Sequence, residues 1–428
     1  MENKEDHQNI LLVTTDSVRA DYCSYLTRGR NTTPYLDSLV NESAVFTNAI
    51  SPGPRTPSSM PVIFTGEHYR STPTQEDFGS RYSRIADHMR RYETIAQLLS
   101  KQGYATAAYT ANPWTTEATL FDQSVDCFRM IGSKHQQIND NLDGDRNINL
   151  YERLSHIGDQ WLKKTDWFSQ WPAFYEEIRS AINQLKEPWF IWVFLLDTHS
   201  PYIVPKKFRN EISGPAMYYS AIRHNYTIMR NGHHENPPNH LVSFLEQSYR
   251  DSIRSVDGFI EALEADVNYD NTTLIFHSDH GEAFGEHGTY GHQPELFEEN
   301  IRVPFLIKGG VEPSWIDRPI SLIELPKIIE YIVESRIISP NDFTDDFVVS
   351  KTEFGEETAV RGERWKYIQK RDGAKLFDLK NDPGEQIDLL DQEPEIAEKL
   401  QETHKRHERT RREKTKIGEK MREIAARI

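Results

Sequence analysis

Two apolar segments that lie far apart in the chain each lead directly into acidic side chains. Residues 273–277 have the composition of a buried strand and are followed by Asp279 and His280. Residues 9–15 have the same character and end at Asp16. Open α/β sheets bind ligands at the carboxyl ends of their strands. The two segments therefore predict a sheet with a ligand site at that edge.

The three polar residues after these segments form a plausible donor set for a cation. Two carboxylates and one imidazole, from Asp16, Asp279 and His280, suit a divalent ion of the Mn, Fe or Zn type. The simpler alternative is that the Asp residues only form loops. That alternative would suffice for Asp16 alone, but the adjacent Asp279 and His280 favour a metal site.

Strand-like and helix-like segments alternate along most of the chain, as in a doubly wound α/β fold. Thr33 and Pro34 predict the start of a helix, and residues 93–100 have helical spacing. Residues 104–109 and 189–196 are typical of further strands. The body of the chain is therefore expected to be one large α/β domain.

The pattern changes near residue 340, where short strand-like segments and turns begin. We expect a catalytic domain over residues 1–340, a small sheet subdomain over 341–392 and a helical tail over 393–428. The tail contains eleven Lys and Arg and eight Glu, often three or four positions apart, which favours a solvated helix. An arm for nucleic acid or anionic lipid is the less favoured alternative.

Composition limits the class of partner. The formal net charge of −16 argues against a protein that binds a phosphate backbone, so no nucleic-acid partner is expected, and an anionic substrate would need a local positive centre. The apolar run 189–196 is far shorter than the roughly 20 residues of a membrane helix, so no transmembrane segment is expected. Cys23 and Cys127 provide no disulfide framework, and the polar first residues contain no signal-peptide core. These features predict a cytoplasmic protein.

Thr56 is the best candidate for a nucleophile. Thr56 followed by Pro57 predicts a helix N-cap, where free backbone N–H groups attract anions. Capping alone is the simpler interpretation, but a nearby metal would also activate the hydroxyl. Arg19 would add positive charge near the same oxygen, with a surface pair between Arg19 and Asp21 as an equally supported alternative.

Several segments, taken in their order along the chain, resemble the sulfatase family of the alkaline phosphatase superfamily. The resemblance runs through residues 9–21, Thr56 to Gly66, His199 to Tyr202, 278–282, Arg302 to Pro304 and 376–385. It implies an α/β fold of the alkaline-phosphatase-like sandwich type, with a central mostly parallel sheet flanked by helices. It also implies a small C-terminal antiparallel sheet. In this chain, the charged helix predicted for the tail would follow that sheet.

The chain departs from the family at its most informative positions. Thr56 stands where sulfatases carry the Cys or Ser that becomes formylglycine, and Met60 stands at the Arg of that motif. Ser17 replaces a second Asp, and His280 replaces Asn. Similar combinations occur in phosphonate monoester hydrolases and phosphoglycerol transferases. The resemblance therefore favours phosphorus esters over sulfate esters, with one divalent ion on Asp16, Thr56, Asp279 and His280, Mn before Zn, Fe or Ca.

The resemblance also assigns roles to three histidines. His199 would contact the substrate oxyanion, and His292 would be the general acid, with His287 as the second choice. A two-zinc site that also uses Asp197 and His199 is the alternative. Only Thr198 separates that pair, which matches the loop of the one-metal enzymes instead.

We therefore predict a metal-dependent hydrolase of sulfate, phosphate or phosphonate esters, acting on a small anionic ester through a covalent intermediate on Thr56. A phosphoglycerol-type transferase to a sugar or lipid hydroxyl is one alternative. A non-catalytic binding protein that uses its basic tail is another. Residues 71–91 and 208–239 are expected to be loops at the mouth of the site.

Overall fold

A computed structural model describes residues 8–70, 78–131, 170–231, 237–334 and 339–425. The strands are β1 Asn9–Thr15, β2 Ser43–Phe46, β3 Ala49–Ile50, β4 Ala105–Thr110, β5 Cys127–Met130, β6 Trp189–Leu195, β7 Thr272–Ser278, β8 Ala283–Phe284, β9 Tyr290–Gly291, β10 Arg302–Val303, β11 Phe305–Lys308, β12 Ser314–Ile316, β13 Ile320–Ser321, β14 Phe347–Lys351, β15 Thr358–Gly362, β16 Trp365–Gln369 and β17 Ala374–Asp378. The α-helices are α1 Pro34–Leu39, α2 Thr56–Thr65, α3 Phe78–Arg91, α4 Ile95–Lys101, α5 Tyr175–Gln184, α6 Gly214–Asn231, α7 Asn239–Leu263, α8 Glu298–Ile301, α9 Leu325–Val333 and α10 Pro394–Ala425. None of these helices is both long enough and apolar enough to cross a bilayer.

The largest sheet has eight strands in the order β12-β2-β11-β7-β1-β6-β4-β5. Strand β1 lies between β7 and β6 and is parallel to both, with Thr15 opposite Ser278 on one side and Leu195 on the other. Only β11 runs antiparallel to its neighbours. The carboxyl ends of β7, β1, β6 and β4 therefore share one edge, and the predicted mostly parallel α/β sheet is confirmed.

Apolar residues cover both faces of this sheet. Along β1, Ile10 and Leu12 belong to a core with α2, α3, α4 and α9, whereas Leu11 and Val13 belong to a core with α1, α5 and α7. Because successive side chains of a strand point to opposite faces, a strand covered on both sides is largely apolar. This is the physical reason for the apolar runs in the middle of β1 and β7 and along all of β6, and every residue of the three strands is buried.

The two segments expected to be mouth loops contain helices instead. Residues 71–77 and 232–236 lie outside the described residues, but α3 and α6 occupy much of the remainder. Tyr82, Ile85 and Met89 are buried on one side of α3. Their spacing of three and four residues is that of an amphipathic helix, a signal that the loop prediction overlooked.

The last elements form a four-stranded antiparallel sheet, β14-β15-β16-β17, followed by α10. The predicted small sheet and charged helix are both present. The prediction that the helix is solvated is wrong for its first part, because Leu400 is fully buried against Val360 and Leu376 of the sheet. Lys351 of β14 also pairs with Glu408 of α10.

A buried ion network ties β16 to the segments around it. The Lys366 side chain is fully buried, with Nζ 3.1 Å from Glu298 Oε1 and 2.8 Å from Glu385 Oε1. Arg361 Nη2 approaches the other oxygen of Glu298 at 3.1 Å. Removing one member of such a network leaves its partners charged without compensation.

Lys366→Met is accordingly expected to lower the free energy of unfolding by about 3–5 kcal/mol, because two buried carboxylates lose their shared ammonium group. Urea denaturation followed by circular dichroism would measure the loss. Lys380→Met, at an exposed position after the same sheet, is the matched control and should change stability by less than about 0.5 kcal/mol. Equal effects from the two variants would contradict a stabilising role for the network.

Candidate active site

Three predicted metal ligands meet at the carboxyl edge of the large sheet. Asp16, Asp279 and His280 are fully buried, and one ligand atom from each lies within 4.8 Å of the others. His280 Nε2 is 3.7 Å from Asp16 Oδ1 and 3.5 Å from Asp279 Oδ2. They meet because Thr15 and Ser278 are paired at the ends of β1 and β7, so the residues that follow emerge side by side.

The Thr56 hydroxyl lies against this group. Thr56 Oγ1 is 3.3 Å from His280 Nε2 and 3.5 Å from Asp16 Oδ2, and the residue is only 4% exposed. The predicted N-cap position is one residue off, since α2 begins at Thr56 and Arg55 occupies the cap. The Thr56 side chain therefore faces the two carboxylates and the imidazole.

The chemistry of the donor set fits a divalent cation. His280 Nδ1 lies 2.8 Å from the carbonyl of Gly281, which leaves Nε2 as the atom facing the carboxylates. Burial, with a further effect of His292, lowers the pKa of His280 to about 4, so the ring is neutral. Asp279 Oδ2 is buried and accepts no hydrogen bond from the described residues. Burial and then the charge of Asp16 raise the pKa of Asp279 well above its usual value, a cost that a cation would relieve.

Two further residues hold the group in place, and neither was identified as a site residue from the sequence. Asn112 Nδ2 donates to Asp16 Oδ2 at 2.7 Å and lies 3.3 Å from Thr56 Oγ1. The Ser17 backbone has φ +62°, and its N–H lies 3.3 Å from Asp279 Oδ1. Asn112 lies shortly after the end of β4, and Asp16 lies directly after β1. A polar residue close behind a predicted strand was therefore the sequence signal that could have identified Asn112.

The predicted substrate-binding histidines stand beside the metal ligands. The ring centroid of His292 is 4.7 Å from that of His280 and 5.2 Å from that of His199. His199 Nδ1 is 2.6 Å from the carbonyl of Ser200, and His292 Nδ1 is 3.4 Å from Glu282 Oε2. Burial raises the pKa of Glu282 to about 7. The ring of His292 thus lies near both the ligand His280 and His199.

Arg19 lies in a buried ion network. Its Nε and Nη2 atoms are each 2.9 Å from an oxygen of Asp21, and Nη1 is 2.6 Å from Glu286 Oε1. The alternative of an Arg19–Asp21 pair is therefore confirmed, although Arg19 is only 7% exposed and does not lie on the surface. A direct effect of Arg19 on Thr56 remains a prediction.

His287 belongs to a different cluster. Its ring stacks on Phe297 with a centroid distance of 3.6 Å and an interplanar angle of 7°, and Nε2 is 3.8 Å from Glu299 Oε1. His287, Glu299 and Glu385 form a second group of potential ligand atoms. Of the two imidazoles in residues 285–292, only His292 has its ring beside His280.

Asp197, which the two-zinc alternative requires, lies outside the group of three ligands. Its carboxylate accepts hydrogen bonds from the Trp171 backbone at 3.3 Å and from Ser255 Oγ at 3.4 Å. Burial raises the pKa of Asp197 from 3.8 to about 7. This arrangement favours the one-metal interpretation.

Asp197→Asn should stabilise the protein at alkaline pH and leave its metal content unchanged. Folding holds a proton on Asp197 that the unfolded chain releases above pH 3.8, so the wild-type protein loses stability as the pH rises toward about 7. Asn cannot ionise, and the variant should be more stable by about 2–4 kcal/mol at pH 8, a gain that vanishes near pH 4. Urea titrations across this range and elemental analysis would check it. Loss of bound metal would instead support the two-metal alternative.

Comparison with known proteins identifies the family of the chain. The model of the family described as Sulfatase matches residues 8–327. The chain is 24% identical to choline-sulfatase of Rhizobium meliloti (strain 1021) over 51% of its own length and 49% of that protein, so it spans about half of that relative. It is 23% identical to an arylsulfatase of Clostridium perfringens (strain 13 / Type A) over 90% of both chains.

Among solved structures, the fold is similar to that of the phosphonate monoester hydrolase of Agrobacterium radiobacter. The TM-score is 0.66 at 17% identity, over 94% of this chain and 96% of the other. The identity is too low to transfer a substrate, but the similarity covers nearly the whole fold. The chain thus belongs to the sulfatase family and has the fold of the alkaline phosphatase superfamily.

Proposed function

We propose that the protein hydrolyses phosphorus esters and uses Thr56 as a covalent nucleophile. The observation that carries this proposal is the position of Thr56 Oγ1, 3.3 Å from His280 Nε2 at the start of α2. Thr cannot become the formylglycine of the family's sulfate ester chemistry, which supports its own hydroxyl as the attacking group. The likeness in fold to a phosphonate monoester hydrolase is consistent with this choice.

Asp16, Asp279, His280 and Thr56 would hold one divalent ion, with Mn preferred over Zn, Fe or Ca because an imidazole joins the oxygen donors. When bound, the ion supplies positive charge that polarises the ester and favours the deprotonated hydroxyl. Asn112 donates to Asp16 and approaches Thr56, so it restricts both side chains to one arrangement. Such restriction lowers the entropic cost of attack.

The reaction would proceed in two displacements. In the first, the Thr56 oxygen, after releasing its proton to solvent, forms a bond to phosphorus while the bond to the leaving oxygen breaks, and His292 donates the proton that the leaving alcohol needs. In the second, water attacks phosphorus and gives a proton to His292, and the bond to Thr56 breaks to leave the deprotonated oxygen with which the cycle began. Glu282 lies 3.4 Å from His292 Nδ1 and would orient its ring, and His199 would contact a non-bridging oxygen.

A substrate panel tests this proposal. Aryl sulfate, phosphate monoester, phosphodiester and phosphonate monoester substrates would be compared with Mn added and with a chelator, each with and without glycerol as acceptor. We expect Mn-dependent hydrolysis that is fastest on a phosphorus ester, and a phosphorylated or phosphonylated Thr56 peptide after rapid quenching.

Each alternative has its own signature in that panel. Fastest turnover of the aryl sulfate would overturn the preference for phosphorus. A predominant glycerol adduct would identify a transferase. Absence of both turnover and bound metal under replete conditions would favour a non-catalytic binding protein.

A further inference from the structure

A second set of potential metal ligands includes a residue of the loop that carries His292. One ligand atom each from His287, Glu299 and Glu385 lies within 4.8 Å of the others, and we call these three residues the second ligand cluster. His287 Nε2 is 3.8 Å from Glu299 Oε1, which compares with 3.5 and 3.7 Å between His280 and its two carboxylates. The proposed reaction uses none of the three residues.

The carboxylate of Glu299 is buried without compensation. Glu299 is 7% exposed, and its Oε1 atom and His287 Nε2 are buried atoms without a hydrogen-bond partner in the described part of the chain. Among the described residues, His287 is the only basic side chain close enough to pair with this carboxylate. Burial and then the charge of Glu385 raise the pKa of Glu299 to about 8. A buried carboxylate of this kind requires either a proton or a cation.

The buried ammonium group of Lys366 does not supply that cation. Lys366 Nζ lies 2.8 Å from Glu385 Oε1 and 3.1 Å from Glu298 Oε1, and it makes no ion pair with Glu299 among the described residues. A carboxylate oxygen has two lone pairs, so Glu385 Oε1 can accept from Lys366 and still bind an ion. Glu385 Oε2 accepts the backbone N–H of Glu298 at 2.6 Å, which fixes the carboxylate in place.

The imidazole of the cluster is available as a ligand. Burial and then the charge of Lys366 lower the pKa of His287, so the ring is neutral and one nitrogen offers a lone pair. Repulsion from the nearby ammonium group favours an ion that gains from a bond to imidazole over an ion that takes oxygen ligands alone. The donor set therefore suits Zn²⁺ better than Mg²⁺ or Ca²⁺.

We propose that the second ligand cluster binds a divalent ion of the Zn type, separate from the ion at Asp16, Asp279 and His280. Imidazole and carboxylate groups are ordinary zinc ligands, and three protein ligands leave a fourth position for water. Neighbouring ligand atoms of a tetrahedral zinc ion, each about 2.1 Å from the metal, lie about 3.4 Å apart. The 3.8 Å spacing of His287 and Glu299 is close to that value.

The cluster joins the active-site loop to the small C-terminal sheet. The carbonyl of Glu299 accepts the backbone N–H of Glu282 at 2.9 Å, and Glu385 follows the last strand of that sheet. His287 and Glu385 have φ +51° and +52°, a conformation that persists in such residues only where the surroundings require it. An ion shared by the three side chains would therefore restrain the loop of His292 without touching the substrate.

Calorimetric titration of the metal-free protein with Zn²⁺ tests the inference by counting sites. The wild-type chain should bind two equivalents, and Asp279→Asn should keep the one that belongs to the second ligand cluster. Glu299→Gln should bind that equivalent at least about a hundredfold more weakly and keep the other, because removing a ligand weakens binding more than removing a supporting residue does. The amide carries no charge to bury, so metal-free Glu299→Gln should melt no lower than the metal-free wild-type protein.

His287→Phe is the second variant and covers the case in which Glu299→Gln does not fold. Phe keeps an aromatic ring against Phe297, whose centroid is 3.6 Å from that of His287, and removes the ligand nitrogen. It should lose the same equivalent. His240→Phe is the matched control, because His240 is exposed and its ring lies 6.4 Å from that of Tyr219. It should keep both equivalents.

Thermal melting provides a second readout. Zn²⁺ should raise the melting temperature of Asp279→Asn by at least about 2 °C, because an ion that binds only the folded state stabilises it. Combining Asp279→Asn with Glu299→Gln should abolish this shift.

Retention of the second equivalent in Glu299→Gln or His287→Phe would overturn the inference, as would the absence of the melting shift in Asp279→Asn. Glu299 would then hold a proton in place of an ion. The inference does not depend on the reaction at Thr56. A wild-type chain that binds one equivalent, which Glu299→Gln loses and Asp279→Asn keeps, would support the second ligand cluster and contradict the metal site beside Thr56.

Discussion

Thr56→Ala is expected to lower kcat/KM for the best phosphorus ester by a factor of about 10⁴ to 10⁶, as loss of a covalent nucleophile does in other hydrolases. The hydroxyl lies 3.3 Å from His280 Nε2 and 3.5 Å from Asp16 Oδ2, and it is the atom that would form the bond to phosphorus. Thr56→Ser keeps an oxygen at this position and should stay within about a hundredfold of the wild-type rate. Steady-state kinetics at saturating Mn would measure both variants.

Folding and metal content must be followed in parallel, because Thr56 is also a candidate ligand. Elemental analysis separates loss of the nucleophile from loss of the ion, and circular dichroism verifies the fold. If Thr56→Ala retained full esterase activity with a normal metal content, another group would have to be the nucleophile, and the two-displacement scheme would be wrong.

Asp279→Asn is expected to have opposite effects on metal affinity and on the stability of the metal-free protein. Removing a charged ligand should weaken Mn binding by at least about a hundredfold, more than the loss of a supporting residue outside the metal sphere. Without metal, Asp279 is a buried carboxyl whose pKa is raised by burial and then by Asp16. A neutral amide removes that cost, so the metal-free variant should melt at a higher temperature than the metal-free wild-type protein.

Isothermal titration with Mn and scanning calorimetry of the metal-free proteins would check both effects. Asp372→Asn, at an exposed position, is the control that removes one negative charge elsewhere. An unchanged Mn affinity in Asp279→Asn would exclude Asp279 as a ligand. A lower melting temperature in its metal-free form would show that the hydrogen bond from the Ser17 backbone outweighs the repulsion.

The elements closest to the chemistry were predictable because their signals are local. The apolar runs of β1 and β7, and the polar residues that end them, follow from burial on both faces of a parallel sheet. The start of α1 after Thr33 was also predictable, because Pro34 carries its own conformational preference. In contrast, α3 was taken for a loop although Ile85 and Met89 lie on its buried side.

Local signals did not reveal which side chains meet. Asn112 is far from Asp16 in the chain, and they touch only because β4 and β1 both pair with β6. His287 and His292 are close in the chain, yet His292 packs beside His280 while His287 stacks on Phe297. The backbone between them turns at Gly288 and Gly291, both with positive φ, and periodicity in the sequence does not encode where such turns lead.

Residue identity alone predicted the chemistry of the donors, the departure from formylglycine at Thr56 and the position of these donors at the carboxyl edge of the sheet. Tertiary structure decided the rest: the approach of Thr56 to His280, the hydrogen bond from Asn112, and the separation of His287 from His292. The physical reason is that strand endings and helix starts depend on neighbours in the chain, whereas a site depends on strand order and packing between residues hundreds of positions apart.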